Sequence, residues 1–410
     1  MSGELYDPYS HDLHKDPYSV YRRLRDEHPL YRIESRNCWV LSRFDDVIDA
    51  ALNWQRFISG QGVLLDRGDL TGDAGGLPML VMMDPPRHTT LRRIVSRAFT
   101  PRRVAEMEPR IRQTARELLD AVAAAGGEGD FVHEVAGPLP STVIADMMGV
   151  PKTDRGVFRE WSDSIMRGDP SDEESTEASL FAIGSLFDYF DGIIEERRKE
   201  PRDDLVTALV HPELEPGEEL TTDELMWFCV LLLVAGNETT TNLISNGMVT
   251  LARHPEQRAA LTTSPARIGN AVEELVRYES PVQVLARTVA QPTEIHGTKL
   301  EPGEKVLLNW GSANRDEREF EAPDVFDVNR KIVRHAAFGH GIHFCLGASL
   351  ARLEGRVTFE ELLARFPSYE LTAEPELLHS GIIRGFDSIP FTLGDLAGSG
   401  RQEPGLAART

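Results

Sequence analysis

The chain has 410 residues, of which 41% are hydrophobic and 27% are charged, a composition typical of folded globular proteins and unlike that of disordered or fibrous ones. Asp and Glu (66) outnumber Lys and Arg (44), so the net charge is −22, which argues against nucleic acid as a partner. The three cysteines, Cys38, Cys229 and Cys345, are too widely spaced for a disulfide framework. They indicate a reducing compartment, and we expect a cytoplasmic protein.

The sequence carries no recognisable signal for export or membrane insertion. Its first residues have neither the basic nor the apolar region of a signal peptide. The most apolar stretch, residues 225–235, has about half of the roughly 20 residues that a membrane span needs. We therefore interpret it as part of a buried helix and expect no association with a membrane.

The N-terminal region alternates between helical and strand-like patterns. The spacing of apolar residues predicts a helix over 16–27, a hairpin with strands Leu30–Ile33 and Cys38–Leu41, and a helix over Phe44–Leu52. Residues 60–77 are rich in Gly and Asp and show no period, which indicates a long surface loop. Because such loops often carry function, we interpret this one as a candidate lid.

The middle of the chain is predicted to be helical. Residues 101–199 follow a helical period that is broken at 126–129, at Pro138 and Pro140, and at 168–172.

A long helix is predicted to follow. Thr221 and Glu224 form a capping box, and no proline occurs from there to Pro255, so the helix would extend over roughly 50 Å. A helix of that length would cross the whole molecule.

The last part of the chain contains a helix and most of the remaining strands. The helix covers residues 271–278 and ends before Pro281. Strands are predicted at residues 283–289, 293–296 and 305–309. Residues 398–410 lack apolar periodicity and indicate a disordered tail. We therefore predict a mainly α fold with a minor β region, in one domain that covers residues 1–397.

The strongest chemical signal is the loop from Phe338 to Gly347, which contains one cysteine, Cys345, just before a helical pattern. A cysteine at this place meets unsatisfied backbone N–H groups and the positive end of the helix dipole, both of which favour its thiolate. A thiolate is a strong ligand for iron.

Two other interpretations of this cysteine are possible. A lone cysteine in a loop is most often a small buried apolar residue. A zinc site built from His340, His343 and Cys345 is the second alternative, but no fourth ligand stands at a recognisable spacing.

The loop matches the pattern F-x-x-G-x-(H/R)-x-C-x-G, and in this it resembles the cytochrome P-450 family, soluble and bacterial in type. The resemblance extends over nearly the whole chain, from Asp16 to Ile383. It implies one heme b below a long central helix, with Cys345 as the axial ligand of the iron. Gly341 and Gly347 would let the backbone pass close under the flat macrocycle, and Phe338 would screen the sulfur from water.

A second match is the E-x-x-R pair Glu274 and Arg277, which is a helical neighbour pair and lies before the cysteine loop as in the family. A solvated surface ion pair is the alternative. Relatives tie this pair to an arginine in a later irregular segment, the meander, which residues 320–330 resemble here. Arg330 is the candidate here, although Val325 stands where many relatives place an arginine, so the completing arginine is left open.

Four basic residues are candidates to anchor the two heme propionates, because buried carboxylates need cationic or hydrogen-bonding partners. His88 and Arg92 lie four residues apart and thus on one helical face, for which a solvated face is the alternative. By resemblance, Arg287 and His343 are the other two contacts.

Glu238 and Thr239 lie in the middle of the long apolar helix, where an acid is costly unless it is used or solvated. Relatives use this acid–threonine pair to deliver protons to dioxygen at the heme. The alternative is a threonine that bends the helix by bonding to a carbonyl one turn back.

The resemblance implies a monooxygenase that hydroxylates or epoxidises a lipophilic substrate with dioxygen. The sequence after Cys345 is too short for a flavin reductase, so we expect an external ferredoxin and an NAD(P)H-dependent ferredoxin reductase. A basic island could dock the ferredoxin; its members are Arg87, Arg92, Arg93, Arg97, Arg102 and Arg103. Apolar positions expected to line the substrate pocket are Leu231, Val234, Ala235, Val282, Val284, Leu285, Ile382 and Ile383.

Two other functions remain open at this point. One is a heme-thiolate enzyme that uses peroxide or couples radicals, and the other is a heme sensor or carrier without catalysis. Neither needs the acid and the threonine, so the presence of Glu238 and Thr239 favours the monooxygenase.

Overall fold

The computed structural model describes residues 4–65, 78–166, 173–211 and 219–394. The predicted tail, 398–410, and most of the candidate lid, 66–77, lie outside this range. The α-helices of the described residues are α1 (His11–Lys15), α2 (Tyr18–Glu27), α3 (Phe44–Leu52), α4 (Arg87–Ser96), α5 (Pro101–Glu106), α6 (Glu108–Ala124), α7 (Pro138–Met147), α8 (Arg155–Met166), α9 (Glu173–Lys199), α10 (Leu205–Val210), α11 (Thr222–Arg253), α12 (Pro255–Thr263), α13 (Ile268–Tyr278), α14 (Trp310–Ala313) and α15 (Ala348–Arg365).

The strands form one larger sheet and several small ones. The strands are β1 (Leu30–Ile33), β2 (Cys38–Leu41), β3 (Phe57–Ile58), β4 (Glu128–Asp130), β5 (Val284–Val289), β6 (Thr293–Ile295), β7 (Thr298–Leu300), β8 (Lys305–Asn309), β9 (Tyr369–Leu371), β10 (Glu376–Leu377), β11 (Phe386–Ser388) and β12 (Pro390–Leu393). The larger sheet has the order β1-β2-β8-β5-β3, in which β2 and β8 are parallel. The fold is therefore mainly α with a minor β region, as predicted.

The N-terminal predictions are confirmed. The hairpin pairs Leu30 with Leu41 and Ile33 with Cys38, and the following helix α3 has the predicted bounds. The helix expected over 16–27 begins at Tyr18.

The long helix α11 is the centre of the helical region. Its start is fixed by the predicted capping box, in which Thr221 Oγ1 accepts from the Glu224 amide (3.1 Å) and Glu224 Oε2 accepts from the Thr221 amide (2.9 Å). It packs against α7, α8, α9, α13 and α15, and most of its side chains are buried in the main core. Among the described helices, none combines the length and the apolar character that would be needed to cross a membrane.

Of the breaks predicted at Pro138 and Pro140, the first falls at the boundary between two helical elements and the second lies inside a helix. Pro138 is the first residue of α7, where its missing N–H leaves no hydrogen bond unmade, and Pro140 lies in the same first turn. A short π-helical turn, Val132–Ala136, leads directly into it. The chain therefore changes helix type here without leaving the helical path. The break predicted at 168–172 lies outside the described residues.

Candidate active site

A cavity of about 1480 Å³, including its open mouth, lies between α11, the cysteine loop and the start of β5. Its lining combines apolar side chains of α11 with Cys345 and several basic side chains.

One wall of this cavity, called here the α11 wall, is a single face of the long helix. Leu231, Ala235 and Thr239 follow one another at intervals of four residues and all line the cavity. The same face also carries Phe228, Leu232, Gly236, Thr240 and Leu243. These five residues were not among the predicted pocket positions, although the helical period of Leu231 and Ala235 indicates them.

Val234 was expected on the α11 wall, and that expectation is wrong. It packs against the main core, because one residue along a helix turns the side chain by about 100° away from the face of Ala235.

The opposite part of the substrate region comes from the chain around β5. Val282 and Leu285 line the cavity as predicted, whereas Val284, Ile382 and Ile383 do not. Successive side chains of a strand point to opposite faces, so Val284 is fully buried in the N-terminal core, the cluster that contains Tyr21, Val40 and Leu307. Ile383 forms a bridge with Val282 and lies behind it, and Ile382 packs on the N-terminal core.

Thr239 and Glu238 differ in their relation to the cavity. The Thr239 hydroxyl lines it and donates a hydrogen bond to the carbonyl of Ala235 (2.6 Å). The neighbouring Glu238 is half-buried outside the lining and accepts a long hydrogen bond from Asn242 Nδ2 (3.5 Å). The hydroxyl thus makes the bond expected of a helix-bending threonine, in a residue that lines the cavity.

Cys345 lines the cavity and lies in the loop before α15. Its amide donates to the carbonyl of Phe338 (2.8 Å), which closes the loop, and both residues line the cavity. Burial raises the pKa of the Cys345 thiol, while the backbone N–H groups of Gly347 and Ala348 and the charge of Arg92 act to lower it. The site therefore supplies donors to a thiolate at the start of a helix.

The two glycines named from the sequence, Gly341 and Gly347, differ in their relation to the cavity. A Cβ on Gly341 would come within 2.6 Å of the Ala51 carbonyl oxygen, and its φ is +71°, so close packing against the end of α3 requires this glycine. Gly341 does not line the cavity, which corrects its expected role. Gly347 does line it, together with Gly339, which has a φ of +65°.

The four candidate propionate anchors lie together. Arg92, Arg287 and His343 line the cavity, and the ring of His88 lies behind, 4.4 Å from the ring of His343. Burial and the nearby cations lower the pKa of His343 to about 3 and that of His88 to about 4. Burial also lowers the pKa of Arg287 to about 10.

These basic groups have fewer acceptors than their burial demands. Arg287 is 4% exposed and donates to the carbonyl of its neighbour Ala286 (2.8 Å). Among the residues that the structure describes, no hydrogen-bond partner is found for Nδ1 or Nε2 of His88, nor for Nε2 of His343. A buried guanidinium requires an acceptor, best an anionic one, and a buried neutral imidazole requires a hydrogen-bond partner. A flat group with two carboxylates and an iron that accepts a thiolate fits these residues.

Below the cysteine loop, α13 carries the buried pair Glu274 and Arg277, both 0% exposed. Their side chains form two hydrogen bonds, of 2.7 and 2.8 Å. Arg330 Nε adds a third bond to Glu274 (3.0 Å), while its other nitrogens donate to meander carbonyls, among them that of Val325 (2.9 Å). The arginine left open by the sequence is thus Arg330, and the solvated-pair alternative does not apply.

Glu354 is a cavity residue that the sequence analysis missed. It lies on α15, is 1% exposed, and its Oε2 atom has no partner in the described part of the chain. Burial raises the pKa of this carboxyl well above its usual value. Its spacing of four residues from Leu350, which also lines the cavity, was the available signal.

The zinc alternative finds no support in the geometry. His340 Nε2 is bonded to the carbonyl of His335 (3.1 Å), and no group of three or more His, Cys, Asp or Glu side chains within residues 4–65, 78–166, 173–211 and 219–394 could hold a metal ion.

Comparison with known proteins points to one family. The family model for cytochrome P-450 matches residues 174–264 and 268–382. Cytochrome P-450 130 of Mycobacterium tuberculosis is 42% identical over 389 residues, which cover 92% of this chain and 95% of that protein. The vitamin D(3) 25-hydroxylase of Pseudonocardia autotrophica is 38% identical over 397 residues, covering 95% and 97%.

Solved structures give the same result. The cytochrome P-450 PksS of Bacillus subtilis, from bacillaene polyketide synthesis, superposes with a TM-score of 0.87 at 37% identity and covers 95% of this chain and 100% of its own. CYP109E1 of Bacillus megaterium in complex with testosterone has a TM-score of 0.86 at 36% identity, covering 94% and 99%.

Proposed function

The chain belongs to the cytochrome P-450 family, and on that premise we propose that it oxidises a neutral lipophilic substrate with electrons from a separate ferredoxin. Family membership makes it a heme b monooxygenase that needs dioxygen and a redox partner. The observation that carries the proposal is that Cys345 and Thr239 line the same cavity.

The residues that would hold the heme are those whose hydrogen-bonding demand the protein leaves unmet. Cys345 would supply the axial thiolate, and Arg92, Arg287 and His343 would bind the propionates, with His88 behind them. Heme supplies the activation of dioxygen, which side chains alone cannot perform.

The proposed role of Glu238 and Thr239 is to deliver a proton to a water molecule that is bound at the α11 wall. Because the Thr239 proton is committed to the Ala235 carbonyl, its oxygen is free to accept a hydrogen bond from a water molecule in the cavity. Glu238 lies one residue away and is partly exposed to solvent. Its carboxyl can therefore take up a proton from solvent and donate it to that water. The carboxyl itself is outside the cavity lining, so a water must link the two residues.

Replacing Thr239 by Ala tests this role. The change removes the acceptor oxygen but leaves Cys345 and the basic anchors intact, so we expect normal heme content and near-normal substrate binding. NADH consumption should continue, while product formed per NADH falls severalfold and hydrogen peroxide rises in compensation. The measurement is the ratio of product to NADH consumed, together with a peroxide assay.

Thr241→Ala is the matched control, because it deletes the same hydroxyl from a buried residue of α11 that does not line the cavity. It should keep full coupling and lose at most about 1 kcal/mol of stability. Full coupling in Thr239→Ala would show that Thr239 has only a structural role.

A neutral lipophilic substrate is supported by the lining of the cavity. The part of the α11 wall before Thr239 is apolar, and Val282 and Leu285 extend this surface. The charged lining residues of the described chain are the ones assigned to heme, apart from Glu354. The relatives named for vitamin D(3) hydroxylation and for the testosterone complex act on or bind molecules of this kind. Tight binding of a small polyacid would contradict the proposal.

The proposed docking site for the ferredoxin is smaller than the basic island of the sequence. Arg87 is paired with Glu224 and Arg92 lines the cavity, which removes both from the island. Arg102 and Arg103 lie on α5, which packs against α15.

The thiolate loop itself also reaches the surface. Phe344, next to Cys345, is 41% exposed, and its carbonyl accepts a hydrogen bond from Arg92 (2.6 Å). A basic surface at this place favours an acidic electron carrier. The free cysteines agree with a reducing compartment, and we propose the cytoplasm.

Arg103→Glu tests the docking site. The reversed charge should lower the rate of electron transfer from the ferredoxin about tenfold or more at low salt, and the loss should shrink as salt is added. Substrate affinity should stay unchanged, because Arg103 does not line the cavity. Arg253→Glu, an exposed change at the far end of α11, is the control. Equal rates for the two variants would place the ferredoxin elsewhere.

A further inference from the structure

Two adjacent glutamates of α13 belong to different networks. Glu274 binds Arg277 and Arg330, as described above. Glu273 accepts two hydrogen bonds from Arg352, at 2.6 Å from Nε and 3.0 Å from Nη2, and one from His335 Nε2 at 3.1 Å. The second network thus joins α13, α15 and the segment that leads into the cysteine loop.

The hydrogen bonds of His335 fix its tautomer. The amide of Ala337 donates to Nδ1 (3.1 Å), so Nδ1 is an acceptor and the proton of the neutral ring is on Nε2, which donates to Glu273. Burial alone would raise the pKa of Glu273, but the bonds from His335 and Arg352 outweigh it and lower the pKa to about 2. Glu273 is therefore an ionised acceptor with two fixed donors.

Both donors contact the same aromatic ring. The guanidinium of Arg352 lies over the ring of Phe338, 4.3 Å from its centre, and the ring of His335 lies 5.6 Å from it. Phe338 is the residue whose carbonyl accepts the amide proton of Cys345 (2.8 Å). Because Arg352 and His335 are bound to the same carboxylate, the Phe338 ring that they contact has few alternative rotamers.

Charge adds to this geometry. Arg352 is close enough to Cys345 to favour its thiolate, and Glu273 offsets part of the same positive charge. The carboxylate therefore governs both the position of the ring and the net charge that the thiolate meets.

We propose that Glu273 is a positioning residue for the iron ligand: through Arg352 and His335 it clamps Phe338 beside Cys345 and sets the charge around the thiolate. This inference rests on the proposed place of Phe338 as the screen of the sulfur. It assigns to Glu273 an effect on the stability and redox potential of the heme centre without contact to heme or substrate.

Glu273→Gln in the heme-loaded protein is the test. The amide loses the charge that balances Arg352, so the midpoint potential of the iron should shift to a more positive value. The loosened ring should also admit water to the sulfur. The red-shifted Soret band of the reduced carbon monoxide complex, which reports thiolate ligation, should therefore decay severalfold faster than in the unchanged protein.

Two further variants separate this role from a general loss of stability. Glu360→Gln removes an equally exposed carboxylate that also binds two arginines, Arg112 and Arg356, and it should change neither the potential nor the decay. In a Phe338→Leu background the ring is absent, so adding Glu273→Gln should not accelerate the decay further.

The outcomes are distinct. A faster decay that needs Phe338, together with the positive shift, supports the proposal. An unchanged potential, or an acceleration that is the same with and without Phe338, overturns it while the heme-thiolate assignment stands. If the unchanged protein lacks the red-shifted band, the thiolate ligation fails and this inference fails with it.

Discussion

The two walls of the cavity are built by different kinds of interaction. On the α11 wall the side chains are mostly apolar, and the hydrogen bond of Thr239 stays within one helical turn. Around the cysteine loop, buried charges such as Glu274 and Arg277 connect segments that are far apart in the chain. The wall that carries Cys345 is therefore fixed by long-range polar networks, and the α11 wall by helix period and shape. The wall around the cysteine loop should tolerate substitution poorly, whereas the α11 wall should accept substitutions that change substrate specificity.

The largest effect is expected from Glu274→Gln, on the network side. The change leaves Arg277 buried at 0% exposure without its counter-charge and weakens the bond from Arg330. Loss of one partner of a buried pair typically costs about 3–5 kcal/mol. Urea unfolding should show a loss of this size, together with a reduced heme content.

Glu106→Gln provides the comparison, because its partner Arg102 is an exposed neighbour on the same helix. Exposed pairs of this kind contribute about 0.3–0.5 kcal/mol. If Glu274→Gln were as mild as this control, the contrast between the walls would not hold.

Features that depend on neighbouring residues could be predicted from the sequence. The hairpin of Leu30–Ile33 and Cys38–Leu41 follows from alternation, and the start of α11 follows from the local capping box of Thr221 and Glu224. The motif around Cys345 could be predicted for the same reason, because the residues that form it lie within ten consecutive positions.

Features that depend on distant pairing could not be predicted. Alternation says that Val284 and Leu285 face opposite ways, but only the pairing of β5 with β8 and the core behind it decides which one meets the cavity. Similarly, Glu273 lies 79 residues from Arg352 and 62 from His335, so no spacing in the chain reveals their contact.

Glu354→Gln tests the cost of an uncompensated acid on α15. Burial holds the folded pKa of Glu354 well above its unfolded value of about 4.3, so the wild-type protein loses stability as pH rises from that value toward the folded pKa. Glutamine cannot ionise and escapes this loss. The stability of the variant relative to wild type should increase by up to about 1.4 kcal/mol per pH unit as the pH rises above about 4.3, until it reaches the folded pKa.

The measurement is urea unfolding of both heme-loaded proteins over this pH range. A difference that does not change with pH would mean that Glu354 is ionised in the folded protein and has found a partner for its charge.

The smallest change in stability is expected on the α11 wall, from Ala235→Leu. Ala235 faces open space in the cavity, so the larger side chain should alter the free energy of unfolding by less than about 1 kcal/mol. The added atoms narrow the cavity beside Thr239. The affinity for a bulky lipophilic ligand such as a steroid should therefore fall about tenfold, equivalent to about 1.4 kcal/mol. Spectral titration with steroids of increasing size measures this loss.

Val234→Leu is the matched variant, because the adjacent side chain packs into the main core. Overpacking there should cost about 1–3 kcal/mol of stability and leave steroid affinity unchanged. The two neighbours should thus separate affinity from stability, because the helix directs one side chain into the cavity and the other into the core. A loss of affinity in Val234→Leu with none in Ala235→Leu would mean that the substrate lies on another face of α11.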